Sequence, residues 1–325
     1  MNVAAAVDSV MEASIAPSFT RVGYQLRSRL EHWTPLARYD LTGRTIVVTG
    51  ATSGLGRQAA EEFAGLGAKV VICGRDVTKV RRVRAEIAAC TGSSALTMAC
   101  ADMAELDQVR AMADELLATH LRIDVLIHNA GALTGHRAVN SAGIESTVAS
   151  QVLGPFLLTS LLLGPLSGAR PGRVITMSSG GMYAAPLGGA DLQMSDGDYR
   201  GSQQYARAKR AQVTLNEMWA QRVDRKEVVF HALHPGWADT PGIESSLPQF
   251  RRLMKPLLRT PAEGADTLVW LAADHGEPTR TSGDFWLDRE RRRIHRLPST
   301  RRSDTPERRR ELWDWCTDQT GARIN

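Results

Sequence analysis

The sequence predicts an α/β fold, a doubly wound and mostly parallel sheet with helices on both faces. Three observations carry that reading. The run Thr45-Ile46-Val47-Val48-Thr49 is short and β-branched, reads as a buried strand, and leads into a glycine-rich turn and a helix-compatible segment. The same strand and helix alternation continues through residues 41–288 without breaking into separate blocks. A chain of 325 residues that is 43% hydrophobic has enough apolar material for one large core. Residues 1–40 are set apart as an N-terminal extension with an amphipathic helix, and 289–325 as an arginine-rich C-terminal extension.

After the first strand come Gly50-Ala51-Thr52-Ser53-Gly54-Leu55-Gly56, and the segment from Arg57 to Leu66 is helix-compatible. Glycines there let the backbone turn tightly and approach a pyrophosphate, which would rest on the free N–H groups of a helix N-terminus. The spacing is Gly-x-x-x-Gly-x-Gly, not the commoner Gly-x-Gly-x-x-Gly, so its placement between strand and helix carries the reading.

The next strand, Ala68 to Gly74, ends in Cys73-Gly74-Arg75-Asp76. Dinucleotide sites place an acidic residue about 20 residues beyond the glycines to hold the ribose 2′-hydroxyl, whereas an arginine accommodates a 2′-phosphate. Gly74 stands where the acid would be and Arg75 follows, which favours NADP(H) over NAD(H). Asp76 opposes a phosphate unless it caps the following helix.

Farther along, Tyr205 and Lys209 are four residues apart, one helical turn on the same face. A phenol titrates near 10, so bringing it near neutrality asks for roughly 4 kcal/mol of preference for the phenolate. An adjacent ammonium supplies part of that, and the expectation is that Lys209 lowers the Tyr205 pKa and makes it a general acid or base.

In this order, the motifs resemble the short-chain dehydrogenase/reductase family over roughly residues 41–288. The resemblance implies a Rossmann-type fold and an oxidoreductase that interconverts an alcohol and a carbonyl. It marks Gly50, Thr52, Ser53, Gly54, Leu55 and Gly56 as the cofactor loop. Asp102, after the Ala95–Ala101 strand, is marked for the adenine, with Met103 beside it. Asn129, Ala130 and Gly131, after the Ile123–Ile127 strand, would steady the central sheet near the cofactor. Ser179 fits the catalytic serine better than Ser178. Pro235, Gly236 and Thr240 would meet the nicotinamide end, and Lys209 the ribose hydroxyls.

The chain departs from that pattern at Gln151, where the family usually has an asparagine that organises a water between the catalytic lysine and solvent. Gln151 keeps the amide and adds a methylene, and a 1 Å misplacement costs on the order of 100-fold in rate. Four stretches outside the generic motifs narrow the subgroup: Phe19 to Tyr24, Ser178 to Met182, His234 to Gly242, and Ser282 to Asp288. In the family, the helix after Gln151 and the Tyr-Lys helix commonly form a subunit contact, so a homo-oligomer is expected.

The net charge of +5 comes largely from the C-terminal arginines, which acids interrupt. Charge alone does not make a nucleic-acid binder, and none is expected as a partner. Leu312, Trp313 and Trp315 suggest an anchoring helix there. Cys73, Cys90, Cys100 and Cys316 lack paired ligand spacing, which reads as reduced thiols in a cytoplasmic protein with no metal site. No signal-peptide pattern opens the chain. The uncharged stretch Val152 to Ala169 is long enough to raise a membrane span, but its glycines, prolines and position favour a buried or subunit-contact helix.

Phe19, Val22, Leu26, Leu30 and Trp33 recur at helical spacing among Arg21, Arg27 and Arg29. That stripe would dock on the body, the favoured reading, or touch an anionic membrane peripherally. Between Ser179 and Tyr205, the apolar Met182, Tyr183, Leu187, Leu192 and Met194 fit a lipophilic alcohol or carbonyl substrate, or a surface insertion held by its own side chains. The rival functions are a catalytically weak cofactor-binding sensor and a membrane-surface adaptor.

Overall fold

The computed structural model describes residues 8, 11–12 and 15–322. Its strands are β1 Thr45–Thr49, β2 Lys69–Gly74, β3 Leu96–Cys100, β4 Val125–His128, β5 Gly172–Met177, β6 Val228–Leu233, β7 Asp284–Leu287 and β8 Glu290–Arg291. They form one sheet in the order β3-β2-β1-β4-β5-β6-β7-β8. The first seven are parallel, and β8 returns antiparallel on β7. The principal helices are α1 Ile15–Phe19, α2 Arg21–Leu30, α3 Gly54–Gly65, α4 Val77–Thr91, α5 Leu106–Thr119, α6 Gly154–Ser167, α7 Gly201–Arg222, α8 Pro241–Ser246, α9 Pro248–Met254, α10 Pro261–Ala273 and α11 Pro306–Thr320.

Every residue of β1, β4, β5 and β6 is buried, as central parallel strands covered on both faces require. One core lies under α5, α6, α7 and α11, and a second under α3, α4 and α10. The chain runs outward from β1 to β3 and then restarts at β4 on the other side of β1. That reversal opens a crevice beyond the strand ends of β1 and β4, where ligands of such sheets bind. Asp76 caps α4, accepting from the Lys79 N–H at 3.0 Å, so its carboxylate is engaged there.

Among the described residues one helical stretch, Ser146–Ser167, is long and apolar enough to cross a membrane, and most of it lies inside the protein. The α6 portion is apolar nearly all round, which suits a helix packed on several sides.

The N-terminal segment docks on the body, but by a different face from the apolar stripe. Phe19 (3% exposed) and Arg27 (2%) face the body with Gly23, while Val22 (55%) and Leu26 (37%) face outward. Two causes turn the helix this way. A Cβ at Gly23 would collide with the Pro17 carbonyl, so only glycine lets α2 sit so close. Arg27 meets Asp288 at 2.6 Å, Asp8 at 2.7 Å and Glu12 at 3.2 Å, and these partners repay the burial of its charge.

The arginines of the C-terminal extension are also engaged. Arg289 binds Asp266, Arg292 binds Asp8, Arg296 binds Glu12, and Arg309 binds Asp304 and Glu217. Helix α11 lies over α6 and α7, with Trp313 against Phe156 and Trp219, ring centroids 5.0 Å apart in both pairs. Met182, Tyr183, Leu187, Leu192 and Met194 are all buried, so the insertion is held down by its own side chains.

Candidate active site

The cofactor loop is built by close approach. Gly50 takes a φ of +66°, and a Cβ there would stand 2.7 Å from the Ala130 Cα. A Cβ at Gly56 would collide with the Asn129 side chain and the Gly50 carbonyl. Asn129 in turn donates from Nδ2 to the Thr49 and Gly50 carbonyls, each at 3.1 Å. The Thr49 hydroxyl accepts from the backbone N–H groups of Asn129 (3.0 Å) and Ala130 (3.2 Å) and donates to the Ile127 carbonyl (3.0 Å). The ends of β1 and β4 are thereby laced together under the crevice.

Ser53 precedes α3 without capping it by its side chain, and the first turn carries no acid. The helix therefore presents free N–H groups to an anion. A dinucleotide fits this cradle.

Gly74 and Arg75 stand at the end of β2. A Cβ at Gly74 would lie 2.8 Å from the Thr52 methyl and 2.9 Å from a Val80 methyl, which leaves no room for an acidic side chain. Arg75 is 79% exposed, and its nearest acid is Asp102 at 3.8 Å. Asp102 turns one oxygen to the Ala104 N–H at 2.9 Å, and neighbouring Met103 is buried.

Ser179, Tyr205 and Lys209 are brought together beyond β5. Lys209 is buried, sets Nζ 5.2 Å from the Tyr205 ring centroid, and donates to the Met177 carbonyl at 2.9 Å. The Ser179 hydroxyl accepts from the Gly181 N–H at 3.3 Å, and Ser179 is the neighbour that pulls the Tyr205 pKa down. Ser178 donates instead to the Lys209 carbonyl at 3.1 Å.

The expected lowering of the Tyr205 pKa does not appear in the protein alone. Burial pushes the phenol up to about 12 against the lowering influence of Ser179, and burial pulls the Lys209 ammonium down to about 7. Desolvation penalises the charged form of each group and outweighs their mutual attraction.

Gln151 lies in a π-helical turn, Ala149–Leu153, just before α6. Its added methylene has a use: Nε2 reaches the Ala132 carbonyl at 2.9 Å. A Cβ at Gly131 would lie 2.9 Å from the Gln151 amide, so the glycine makes space for it. Sequence reasoning missed Gln212, three residues beyond Lys209 on α7, which donates to the Gln151 backbone carbonyl at 2.6 Å. The side-chain oxygens of Gln151 and Gln212 and the Nδ1 of His128 are buried without hydrogen-bond partners among the described residues. These three residues help line a cavity of about 30 Å³, room for one water.

The family model for short chain dehydrogenase matches residues 44–249. The chain belongs to the short-chain dehydrogenase/reductase family. Human dehydrogenase/reductase SDR family member 12 (Homo sapiens) is 34% identical over 295 residues, 90% of this chain and 91% of its own length. It is the kind of relative that the four extra stretches point to. Retinol dehydrogenase 12 of Bos taurus is 34% identical over 287 residues, 87% of this chain and 88% of its own. A solved structure from Beutenbergia cavernae with bound NADP superposes with a TM-score of 0.63 at 27% identity, over 78% of this chain and 97% of that one. As a member of this family, the protein is an NAD(P)-dependent oxidoreductase acting on CH–OH groups.

The remaining short-chain dehydrogenase/reductase elements close over the crevice. Gly236 has a φ of +73°, and a Cβ there would collide with the Arg259 guanidinium. Arg259 Nη1 donates to the Pro235 carbonyl at 3.3 Å. The Thr240 methyl lies 3.6 Å from where a Gly54 Cβ would be, so this loop reaches back to the cofactor loop. The Thr240 hydroxyl caps α8, and Ser246 at the end of α8 donates to the Leu133 carbonyl at 3.0 Å. Arg259 carried no signal in the sequence, because its partners are distant backbone carbonyls and Asp288.

Proposed function

We propose that the protein reduces a lipophilic aldehyde or ketone with NADPH, and runs the reverse oxidation, through Ser179, Tyr205 and Lys209. The observation that carries the reading is the meeting of these side chains beside the crevice, with the Lys209 ammonium 5.2 Å from the Tyr205 ring. The bound nicotinamide supplies or accepts the hydride. Tyr205 gives its proton to the carbonyl oxygen, and a phenol near 12 is fully protonated at neutral pH, which favours reduction. Ser179 hydrogen-bonds the same oxygen as its charge develops. Lys209 binds the ribose hydroxyls and passes protons toward Tyr205. Gln151 belongs to that relay as the positioning residue for a water in the cavity it shares with Gln212.

Several features support NADP(H) over NAD(H). Gly74 excludes an acid, Asp76 is occupied in its cap, and Arg75 is exposed, held among the described residues only by Asp102 at 3.8 Å, so it can turn to a 2′-phosphate. Gly50, Thr52, Ser53, Gly54, Leu55 and Gly56 would hold the pyrophosphate, Asp102 and Met103 the adenine, Asn129, Ala130 and Gly131 the cofactor's central part, and Pro235, Gly236 and Thr240 the nicotinamide.

Lipophilic substrates are supported by exposed Leu247, Leu253 and Leu257 in and around α9, and by the retinol in the bovine relative's name. The reading places the enzyme in the cytoplasm as a homo-oligomer. Its free thiols support the first, and Leu161 and Leu163 on α6, only partly covered, support the second. Exposed Val22 and Leu26 beside Arg21 and Arg29 support peripheral membrane contact.

The test is consumption of NADPH and NADH across aldehydes, ketones, retinoids and steroids. Turnover of a lipophilic carbonyl with NADPH is expected. Tight NADPH binding without turnover of any of them would favour the sensing role instead.

A further inference from the structure

The N-terminal extension enters the active site at one residue. Phe19, the last residue of α1, stands perpendicular to the His234 ring with centroids 4.4 Å apart, and perpendicular to Trp237 at 5.8 Å. Its carbonyl accepts the Trp237 N–H at 2.7 Å. A Cβ at Gly180 would lie 2.9 Å from both Phe19 Cε2 and His234 Nε2, so the residue after Ser179 rests on the same pair of rings. Three segments distant in sequence therefore converge on Phe19: the extension, the serine loop, and the loop carrying Pro235 and Gly236.

The neighbours of Phe19 are tied down on both sides. Arg259 donates to the Ser18 carbonyl at 3.0 Å, the Thr20 carbonyl at 3.3 Å and the Pro235 carbonyl at 3.3 Å. Asp288 holds the Arg259 guanidinium at 2.5 and 2.9 Å and also holds Arg27 at 2.6 Å. Neither nitrogen of His234 has a partner among the described residues, and burial pushes its pKa down to about 3, so the ring is a neutral spacer. Nothing in this contact needs Phe19 for its own helix, which is five residues long.

We propose that Phe19 is a positioning residue of the active site, fixing the distance between the Ser179 loop and the Pro235-Gly236 loop against which the nicotinamide lies. The proposal rests on the cofactor reading above. Loss of the ring lets the two loops close toward each other, and an error of about 1 Å in the reacting geometry costs on the order of 100-fold. The adenosine end of the cofactor is held by β2 and the glycine loop, on the far side of the crevice, and does not feel the change.

The experiment compares binding of NADPH and of 2′,5′-ADP, which lacks the nicotinamide, to wild type, Phe19→Ala and Phe19→Leu, together with kcat on any carbonyl found to turn over. Phe19→Ala is expected to weaken NADPH and lower kcat by about tenfold or more, with 2′,5′-ADP affinity unchanged within about twofold. Phe19→Leu, which keeps most of the apolar volume, is expected to restore both. Should Phe19→Ala not fold, Phe19→Val carries the same comparison. A variant that lowers only the melting temperature, or weakens both ligands equally, overturns the proposal. If wild type binds 5′-AMP better than 2′,5′-ADP, the NADP(H) reading fails, and the comparison of NADH with 5′-AMP still decides the role of Phe19.

Discussion

Gly74 and Thr52 are packed so closely that a Cβ at position 74 would stand 2.8 Å from the threonine methyl. The absence of an acid at the end of β2 is thus enforced by the glycine loop itself. Arg75 is then the group that distinguishes the two cofactors. Arg75→Ala should weaken NADPH by about tenfold or more, the worth of a charge-assisted hydrogen bond, and leave NADH within about twofold. Titration calorimetry with both cofactors measures this, and equal loss for both would show that Arg75 does not meet the 2′-phosphate.

Lys209 gives a prediction about stability and pH. Its ammonium titrates near 7 in the folded protein, against 10.5 ordinarily. Between those values the unfolded chain binds the proton and the folded chain does not, so this group makes stability rise with pH. Below about pH 7 the cost of the buried charge is fully present. Lys209→Met should therefore raise the melting temperature most at pH 6 and least near pH 9. A difference that is flat across that range would contradict the burial of the charge.

Asp288 opens a two-residue hairpin between β7 and β8 in which Asp288 and Arg289 both have positive φ, 55° and 57°. Asparagine tolerates that backbone, so Asp288→Asn keeps the turn while leaving Arg27 and Arg259 short of a counter-charge. Breaking a buried pair this way costs about 3–5 kcal/mol. Glu307→Ala, which breaks the exposed pair with Arg310, should leave stability close to wild type. Urea unfolding of the two variants compares them, and similar losses would mean that the network is weaker than its geometry implies.

Helix α11 covers part of the α6 and α7 surface through Trp313. Deleting residues 305–325 uncovers Phe156 and Trp219, and should increase self-association at matched concentration. Sedimentation velocity reads the outcome, and an unchanged distribution would show that this face does not adhere to a second copy.

The residues legible in the sequence were those whose chemistry imposes local spacing. Gly50 and Gly56 share one loop, Tyr205 and Lys209 share one helical turn, and strand order brings Asn129 to the glycine loop from 79 and 80 positions away. Arg27 was read as a basic flank because its acid, Asp288, lies 261 positions on. Phe19 was read only as part of the helical stripe, and Arg259 was silent, for the same reason. The Ser179 to Tyr205 insertion was ambiguous, since apolar side chains that line a pocket and those that staple a loop have the same composition. The upward push on the Tyr205 pKa in the protein alone was not legible, because spacing reveals the nearby charge but not burial.

The central claim is that Tyr205 transfers the proton to the substrate oxygen. Tyr205→Phe keeps the ring beside Lys209 and removes only the hydroxyl. With NADPH and any carbonyl that the wild-type protein reduces, kcat should fall by at least about 100-fold, the contribution of a positioned general acid, while the dissociation constant for NADPH stays within about threefold. Substantial turnover by the phenylalanine variant would contradict the account.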